Sequence, residues 1–402
     1  MAERKKNVVL GVTGGIAAYK AAYLARELVK AGLEVRVIMT EGGQQFITPL
    51  TFRTLTTNEV VTDTFQETGG EVLHIWLAQW AELAIIAPAT ANVIGKLANG
   101  IADDFLTTFA LATKAPLLIC PAMNTNMYLH PAVQENLRKL EQRGCRFMTP
   151  GEGALACGTV GTGRMSDVEN ILEEAVTMLA SKDLENVHFL ITAGPTEEYL
   201  DPVRCLTNPS SGKMGYALAA AARRRGGNVT LVSGPTTLPD PYGVELVRVT
   251  SAKQMFEAVK ERFPQVDVLI KAAAVSDFRP AGEMKPHKVK KENAESSIQF
   301  ERNPDILKEM GQIKNDQCVV GFAAETEDLV ENAQLKMKSK NLDFIVANDV
   351  TRNDAGFAVE TNQVKIIDRT GDVQDVPLCS KIEVGERVLD RVSQWLKARG
   401  KI

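Results

Sequence analysis

The chain has no C-x-x-C pair. Its six cysteines (Cys120, Cys145, Cys157, Cys205, Cys318 and Cys379) are scattered along 402 residues, which argues against a disulfide framework or a thiolate zinc site. It also lacks a long hydrophobic run. The apolar stretch in MAERKKNVVLGVTGG breaks at glycines too soon for a signal peptide, and no later stretch approaches a membrane span. Charge of one sign is not in excess either: a net charge of −4 gives no broad attraction to nucleic acid or anionic lipid. A soluble protein of the cytoplasm is expected, with neither nucleic acid nor membrane as partner. Two phosphate-binding signatures are missing as well. PGEGALACGTVGTGRM (150–165) has the glycines of a phosphate cradle, but Thr159 stands where a G-x-x-x-x-G-K-[ST] loop needs lysine. No complete G-x-G-x-x-G occurs, so dinucleotide binding is not directly supported.

What is present is ordinary globular composition, with 45% hydrophobic and 24% charged residues over a length that fits two or three domains. Apolar runs of strand length alternate with helical patterns, which predicts parallel sheets of the α/β class with helices on both faces. NVVLGVTGG leads into IAAYKAAYLARELVKAG and then EVRVIMT: strand, glycine turn, helix, strand. AELAIIAPAT and APLLICPAMN read as further buried strands, and HPAVQENLRKLEQRG and DVENILEEAVTMLA as closing helices. The polar SKDLEN (181–186) is the linker, separating residues 1–181 from 186–402. The same grammar restarts in VHFLITAGPT, SSGKMGYALAAAARRRGG, NVTLVSGPT, DVLIKAAAVSDF, CVVGFAAET and LDFIVANDV. FRPAGEMKPHKVKKENAESS (278–297) has neither period and reads as a long loop. NQVKIIDRTGDVQDVPL reads as a hairpin, and EVGERVLDRVSQWLKARG as a final helix.

Ligands of open α/β sheets sit beyond the carboxyl ends of the strands, so the loops found there carry the candidates. In the first half these are Thr13-Gly14-Gly15-Ile16, with Thr40 ending the next strand; Pro88-Ala89-Thr90-Ala91-Asn92; and the asparagines and methionines of ICPAMNTNMYLHP, Asn124 above all. Free N–H groups at the glycine turn could hold a phosphate. Taken singly, the glycine loop is as readily a tight turn as an anion site, the hydroxyl and amide groups of residues 88–92 suit ring or ribose contacts, the asparagines and methionines read as a turn and core filler, and His74 among apolar neighbours reads as a packed histidine. Jointly they resemble the flavin-dependent cysteine decarboxylases over most of residues 7–180. The resemblance implies FMN held by Gly14, Gly15, Ile16, Thr40, Pro88, Ala89, Thr90 and Asn92. It implies substrate contact by the P-A-M-N-x-x-M-[WY] motif of Pro121 to Tyr128. In such enzymes the thiol is oxidised through FMN, which eases loss of CO₂ and yields an ene-thiolate. His74 then matches the active-site histidine, Asn124 the amide on the substrate carboxylate, and Cys157 the proton donor on a closing flap. The glycines of the opening stretch would give that flap its mobility.

In the second half TAGPTEEYLDPVRCLTNPSSGKMG contains a glycine turn, and Ser210, Ser211 and Gly212 would cap the helix that follows. KPHKVKK carries four lysines in seven residues; alone, such a run is a solvated loop. With AAAVSDF, NPDI (303–306), GFAAET and KMKSKNLDFIVAND, these residues resemble phosphopantothenate–cysteine ligases of the bacterial, CTP-using form over roughly 186–402. The resemblance implies a nucleotide site of Ala273, Asp277, Lys288, Asn303, Pro304, Asp305, Ile306, Phe322, Lys336 and Lys340. Lysines 288, 336 and 340 would bind the triphosphate. Asp277 and Asp305 would contact CTP and Mg²⁺, and Phe322 and Ala273 would flank the base. Asn208 and Arg204 would hold the phosphopantothenate end and stabilise an acyl-cytidylate.

The two resemblances fit each other, because the ligase product is the decarboxylase substrate. They imply two Rossmann or flavodoxin-like domains in one bifunctional chain of coenzyme A biosynthesis, acting on 4′-phosphopantothenate, cysteine and CTP. A homo-oligomer is implied too, of trimeric flavin units and dimeric ligase units up to a dodecamer. One rival is a flavoprotein prenyltransferase or reductase sharing the first fold, which would leave the second half without a purpose. The other is a regulatory subunit with an inactive flavin half, although such subunits lose one of the key residues and His74, Asn124 and Cys157 are all present.

Overall fold

The computed structural model describes residues 4–65, 72–154, 160–290, 297–325, 329–349 and 359–402. The chain divides into two compact units, Met1–Ala180 and Ser181–Ile402. Cys157 and Lys291 lie outside the described residues.

In the first unit β1 (Asn7–Val12) enters α1 (Ala18–Lys30) and returns as β2 (Glu34–Met39). Ala18, Ala21, Leu24, Ala25 and Leu28 form the buried stripe that fixes α1 on the sheet. Short helices α2 (Glu41–Gln44) and α3 (Pro49–Thr56) lead to β3 (Val60–Val61), and α4 (Leu73–Trp80) to β4 (Leu83–Ala89). Every residue of β4 is buried, as befits a strand covered on both faces. Then follow α5 (Ala91–Asn99), α6 (Phe105–Ala112), β5 (Leu117–Pro121), α7 (Thr125–Leu129), α8 (Pro131–Gln142) and β6 (Arg146–Phe147). The strand order β3-β2-β1-β4-β5-β6 is parallel throughout. Beyond it β7 (Gly151–Ala154) pairs antiparallel with β8 (Val160–Arg164), before α9 (Val168–Leu179) closes the unit.

The second unit opens with β9 (His188–Ala193), then the antiparallel pair β10 (Glu197–Asp201) and β11 (Arg204–Thr207). Next come α10 (Lys213–Arg224), β12 (Asn228–Ser233), β13 (Glu245–Arg248), α11 (Ala252–Arg262) and β14 (Val268–Lys271). Here the structure departs from the expected loop: β15 (Phe278–Pro280) pairs antiparallel with β16 (Phe300–Arg302). Three residues including a proline carry no readable period, and their partner lies some twenty residues on. The chain continues with α12 (Ile306–Ile313), β17 (Cys318–Glu325), α13 (Leu329–Ser339), β18 (Phe344–Asp349), β19 (Thr361–Asp368), β20 (Val373–Ser380) and α14 (Lys381–Lys397). Its main sheet runs β13-β12-β9-β14-β17-β18-β19-β20, parallel as far as β18 and antiparallel in the final hairpin. One apolar core joins one face of the sheet to α10 and α14, a second joins the other face to α11, α12 and α13. A Cβ on Gly215 of α10 would stand 2.5 Å from that of Ala193, so glycine is what lets this helix lie against β9.

The expected α/β class is what the chain adopts, twice. In each unit the strand order reverses direction once near its middle: between β1 and β4, and between β9 and β14. Crevices open at such switch points, beyond the carboxyl ends of the strands.

Candidate functional sites

At the β1/β4 switch a cleft of about 730 Å³ is lined by Gly14, Gly15, Ile16, Thr90 and Asn124, with Lys20, Met123 and Arg164. Thr13, fully buried, ties the two strand ends together: its hydroxyl donates to the Pro88 carbonyl at 2.7 Å and accepts the Thr90 N–H at 3.2 Å. Thr90 in turn caps α5 through the Val93 N–H. A Cβ on Gly14 would come within 2.9 Å of the Gly42 carbonyl carbon, so the turn tolerates no side chain. Among the described residues, the N–H groups of Gly14, Ile16 and Ala17 donate to no protein acceptor. They sit at the start of the thirteen-residue α1, a ready anion site.

The far wall is the segment after β5. Asn124 caps α7 by accepting the Asn126 N–H at 2.8 Å, and the Met123 N–H donates to the Gly163 carbonyl at 2.9 Å. Gly163 has φ +140°, and a Cβ there would lie 2.3 Å from the Met123 carbonyl oxygen. A Cβ on Gly161 would meet Thr125 Oγ1 at 2.7 Å. These two glycines therefore have a packing reason in addition to any mobility the sequence assigns them. Burial and the neighbouring Arg164 hold the Lys20 ammonium below its ordinary range, with Asp167 and Glu169 opposing. Lys20 and Arg164 thus give the cleft two cations that sequence reasoning missed.

Other first-half candidates stand outside this lining. His74 sits on the first turn of α4, half-buried and edge-on to Phe105 at 6.4 Å. Thr40 caps α2 through the Gly43 N–H at 3.1 Å. Pro88 and Ala89 are buried in β4, and Asn92 is exposed on α5.

The β9/β14 switch holds a second pocket of about 400 Å³. It gathers Asn208, Ala273, Asp277, Asn303, Pro304, Asp305, Ile306, Phe322, Lys336 and Lys340 from five separate stretches of chain. Threonines brace its floor: Thr192 Oγ1 accepts the Ala273 N–H at 3.2 Å, and Thr196 Oγ1 accepts the Ser276 N–H at 3.0 Å. Asn208 donates to the Ala274 carbonyl at 3.1 Å, and Asn303 donates to the Ser276 carbonyl at 2.9 Å. Asp305 caps α12 and pairs with Lys340 at 2.9 Å. Burial alone would raise its pKa, but Lys340 and the Lys308 N–H hold the carboxyl below the usual range. Of the three residues expected to cap α10, Gly212 takes the cap position with φ +78°, and the Ser210 hydroxyl accepts its N–H at 3.4 Å; a Cβ on Gly212 would stand 2.9 Å from the Thr236 methyl.

Lys288 is exposed and outside this lining, as is Arg204, whose guanidinium donates to the Val289 carbonyl at 3.0 Å. The pocket contains lysines that sequence reasoning missed. Lys271 ends β14, and burial together with Lys340 and Lys336 drives its pKa down to about 8 against Asp305 and Asp277. Lys381, at the start of α14, is also pushed to about 8, by burial and by Lys213. The buried amides of Asn348 and Asn362 join them. The trace of Lys271 in the sequence is a lone lysine in the apolar run VLIKAAAV, which by itself reads as an exposed strand end. Among the described residues no group of three or more His, Cys, Asp or Glu side chains could hold a metal by itself. Asp277 and Asp305 are two carboxylates on one pocket, a set suited to a cation shared with phosphates. No helix among the described residues is long and apolar enough to cross a membrane.

Residues 1–180 match the family described as Flavoprotein, and residues 184–396 match the DNA/pantothenate metabolism flavoprotein C-terminal domain. The coenzyme A biosynthesis bifunctional protein of Bacillus subtilis is 51% identical over 400 residues, covering 98% of each chain. The Escherichia coli K12 protein of the same description is 45% identical over 394 residues, covering 96% of each. A crystal structure of the C-terminal domain of such a protein is 43% identical, covering 54% of this chain and 100% of that one, with a TM-score of 0.47.

Proposed function

This chain belongs to the bifunctional coenzyme A biosynthesis proteins, and on that premise we propose that its two units catalyse consecutive reactions. It is a two-part enzyme, with a decarboxylase in the flavoprotein half and a ligase in the second half. The second unit joins cysteine to 4′-phosphopantothenate. A carboxylate resists attack by an amine, so its oxygen first attacks the α-phosphorus of CTP and pyrophosphate leaves. The cysteine amine then attacks the acyl carbon of the resulting acyl-cytidylate, and CMP departs. Lys336 and Lys340 bind the triphosphate, as does Lys288 from its exposed loop. The NPDI turn, Phe322 and Ala273 hold the nucleoside. Asp277 and Asp305 hold Mg²⁺, and their exposure to the same pocket fits a cation that also needs phosphate oxygens. Asn208 and Arg204 position phosphopantothenate and stabilise the charge that develops during acyl transfer. The observation that carries this reading is the convergence of Asn208, the AAAVSD strand end, NPDI, Lys336 and Lys340 on one pocket.

The first unit removes CO₂ from 4′-phosphopantothenoylcysteine to give 4′-phosphopantetheine. FMN fits the cleft: the N–H groups of Gly14, Ile16 and Ala17, which donate to no described acceptor, suit its phosphate, and Thr90 lines the same cleft; we assign Thr40, Pro88, Ala89 and Asn92 to its binding with them. Bound there, it supplies the redox chemistry that makes decarboxylation easy. Asn124 orients the substrate carboxylate, His74 serves as the active-site histidine, and Cys157 delivers the proton. A cytoplasmic homo-oligomer built of trimeric flavin units and dimeric ligase units completes the reading. A regulatory subunit with an inactive flavin half is not favoured, since the bifunctional relatives match along the whole chain.

The test is mass spectrometry on the full chain incubated with 4′-phosphopantothenate, cysteine, CTP and Mg²⁺. Appearance of 4′-phosphopantetheine with CMP is the expected result. Accumulation of phosphopantothenoylcysteine would keep the ligase and overturn the flavin half. Equal turnover with ATP would overturn the choice of CTP.

A further inference from the structure

We propose that the Lys271 ammonium binds and positions the phosphates of the nucleotide in the second pocket, as a third cation beside Lys336 and Lys340. This rests on the nucleotide reading given above and deepens it. Lys271 is the last residue of β14, paired with Thr192 on one side and Gly321 on the other, in the middle of a parallel sheet. Strand alternation puts it on the face of Leu269, which belongs to the core under α11, α12 and α13. An apolar side chain would satisfy that core; the chain instead places an ammonium there, opening onto the pocket.

Among the described residues, the charged groups acting on it are Lys336 and Lys340 at the end of α13, Asp305 at the start of α12, and Asp277 after β14. The Asp305 carboxylate is already engaged by Lys340 at 2.9 Å and by the Lys308 N–H at 3.2 Å. Asp277 is exposed. Among the described residues, the Lys271 ammonium has neither a hydrogen bond nor an ion pair. Among the described groups, three ammoniums thus share two carboxylates, one of them already engaged. Burying an unpaired charge destabilises a fold, and the depressed pKa of Lys271 reflects that cost. An anion entering the pocket would remove it, and a polyphosphate offers several oxygens at the reach of all three lysines.

A group kept for its ligand rather than for the fold has a distinctive signature, because neutralising it weakens binding while relieving the empty protein. The full-chain variants Lys271→Met and Lys271→Gln are compared with wild type in formation of phosphopantothenoylcysteine. We expect the KM for CTP to rise by roughly tenfold to a hundredfold, the loss of one charge-assisted hydrogen bond. The KM for cysteine and inhibition by cytidine, which has no phosphate, should stay unchanged. The ligase unit of the methionine variant should melt at a higher temperature than wild type when no nucleotide is present. An unchanged KM for CTP, or inhibition by cytidine weakened as much as CTP binding, would overturn the assignment. So would loss of the folded unit in both variants, which would make Lys271 structural. A wild-type chain that turns over no CTP would instead bring down the nucleotide reading itself, and Lys271 with it.

Discussion

Thr13→Val removes one hydroxyl and nothing of the side chain's volume, at a position with no exposure. That hydroxyl bridges two strands across the switch point, donating to Pro88 O at 2.7 Å and accepting from Thr90 N at 3.2 Å. Valine leaves a carbonyl and an N–H without this partner in the interior. Each orphaned group costs about 1–3 kcal/mol, so the pair costs about 3 kcal/mol once partial relaxation is allowed. A unit of this size loses about 2–4 °C per kcal/mol, which gives a fall of about 6–12 °C in its thermal transition. The damage is local to the cleft, because Thr90 both lines it and caps α5. Scanning calorimetry of the full chain should therefore show only the first unit's transition moving. Flavin absorbance after desalting should fall, and CTP-dependent release of CMP should persist. An unmoved transition with full flavin content would refute the bridging role. An equal loss in the ligase would show that the effect is not confined to the unit that holds Thr13.

Gly163→Ala forces an L side chain into φ +140° and sets its Cβ against the Met123 carbonyl. The Asn124 segment must shift, and steady-state decarboxylation should drop by about tenfold to a hundredfold while ligase turnover holds. Lys381 gives a pH prediction. Its folded pKa of about 8 lies below the ordinary 10.5, so between these values the unfolded chain binds more protons and stability rises with pH. Urea titrations of wild type and Lys381→Met from pH 7.5 to 10.5 should show that rise reduced in the variant. Parallel pH profiles would place the titration elsewhere.

Much of this was legible because the chemistry lies at strand ends, and strand ends are where apolar runs give way to small and polar residues. LGVTGG, IIAPATAN and IKAAAVSD each mark such a transition, and the pockets form where two of these ends meet across a switch. The bracing threonines were not legible. Thr13, Thr192 and Thr196 stand beside glycine turns that already account for the bend, so their hydroxyls carry no separate signal until the neighbouring strand is in place. Lys271 and Lys381 escaped for the opposite reason. A single lysine within or after an apolar run reads as the last exposed residue of its element, and only the pairing of β14 between β9 and β17 leaves Lys271 half-buried at the pocket.

His74, Lys288 and Arg204 mark the other limit. A motif fixes which residues travel together in sequence, whereas a pocket collects those that one folded chain brings within reach of one ligand. Asn124 and Lys340 satisfy both conditions, and each already uses its polar atoms on its own fold: Asn124 caps α7, and Lys340 holds Asp305. Engaging a substrate requires such groups to exchange partners, so the site is preorganised by the same contacts that binding must displace. Among the described residues, the Lys271 ammonium has no such partner to give up. In a pocket built mostly of occupied groups, its interaction is available to an entering phosphate, which is why its removal should weaken nucleotide affinity without costing the empty fold stability.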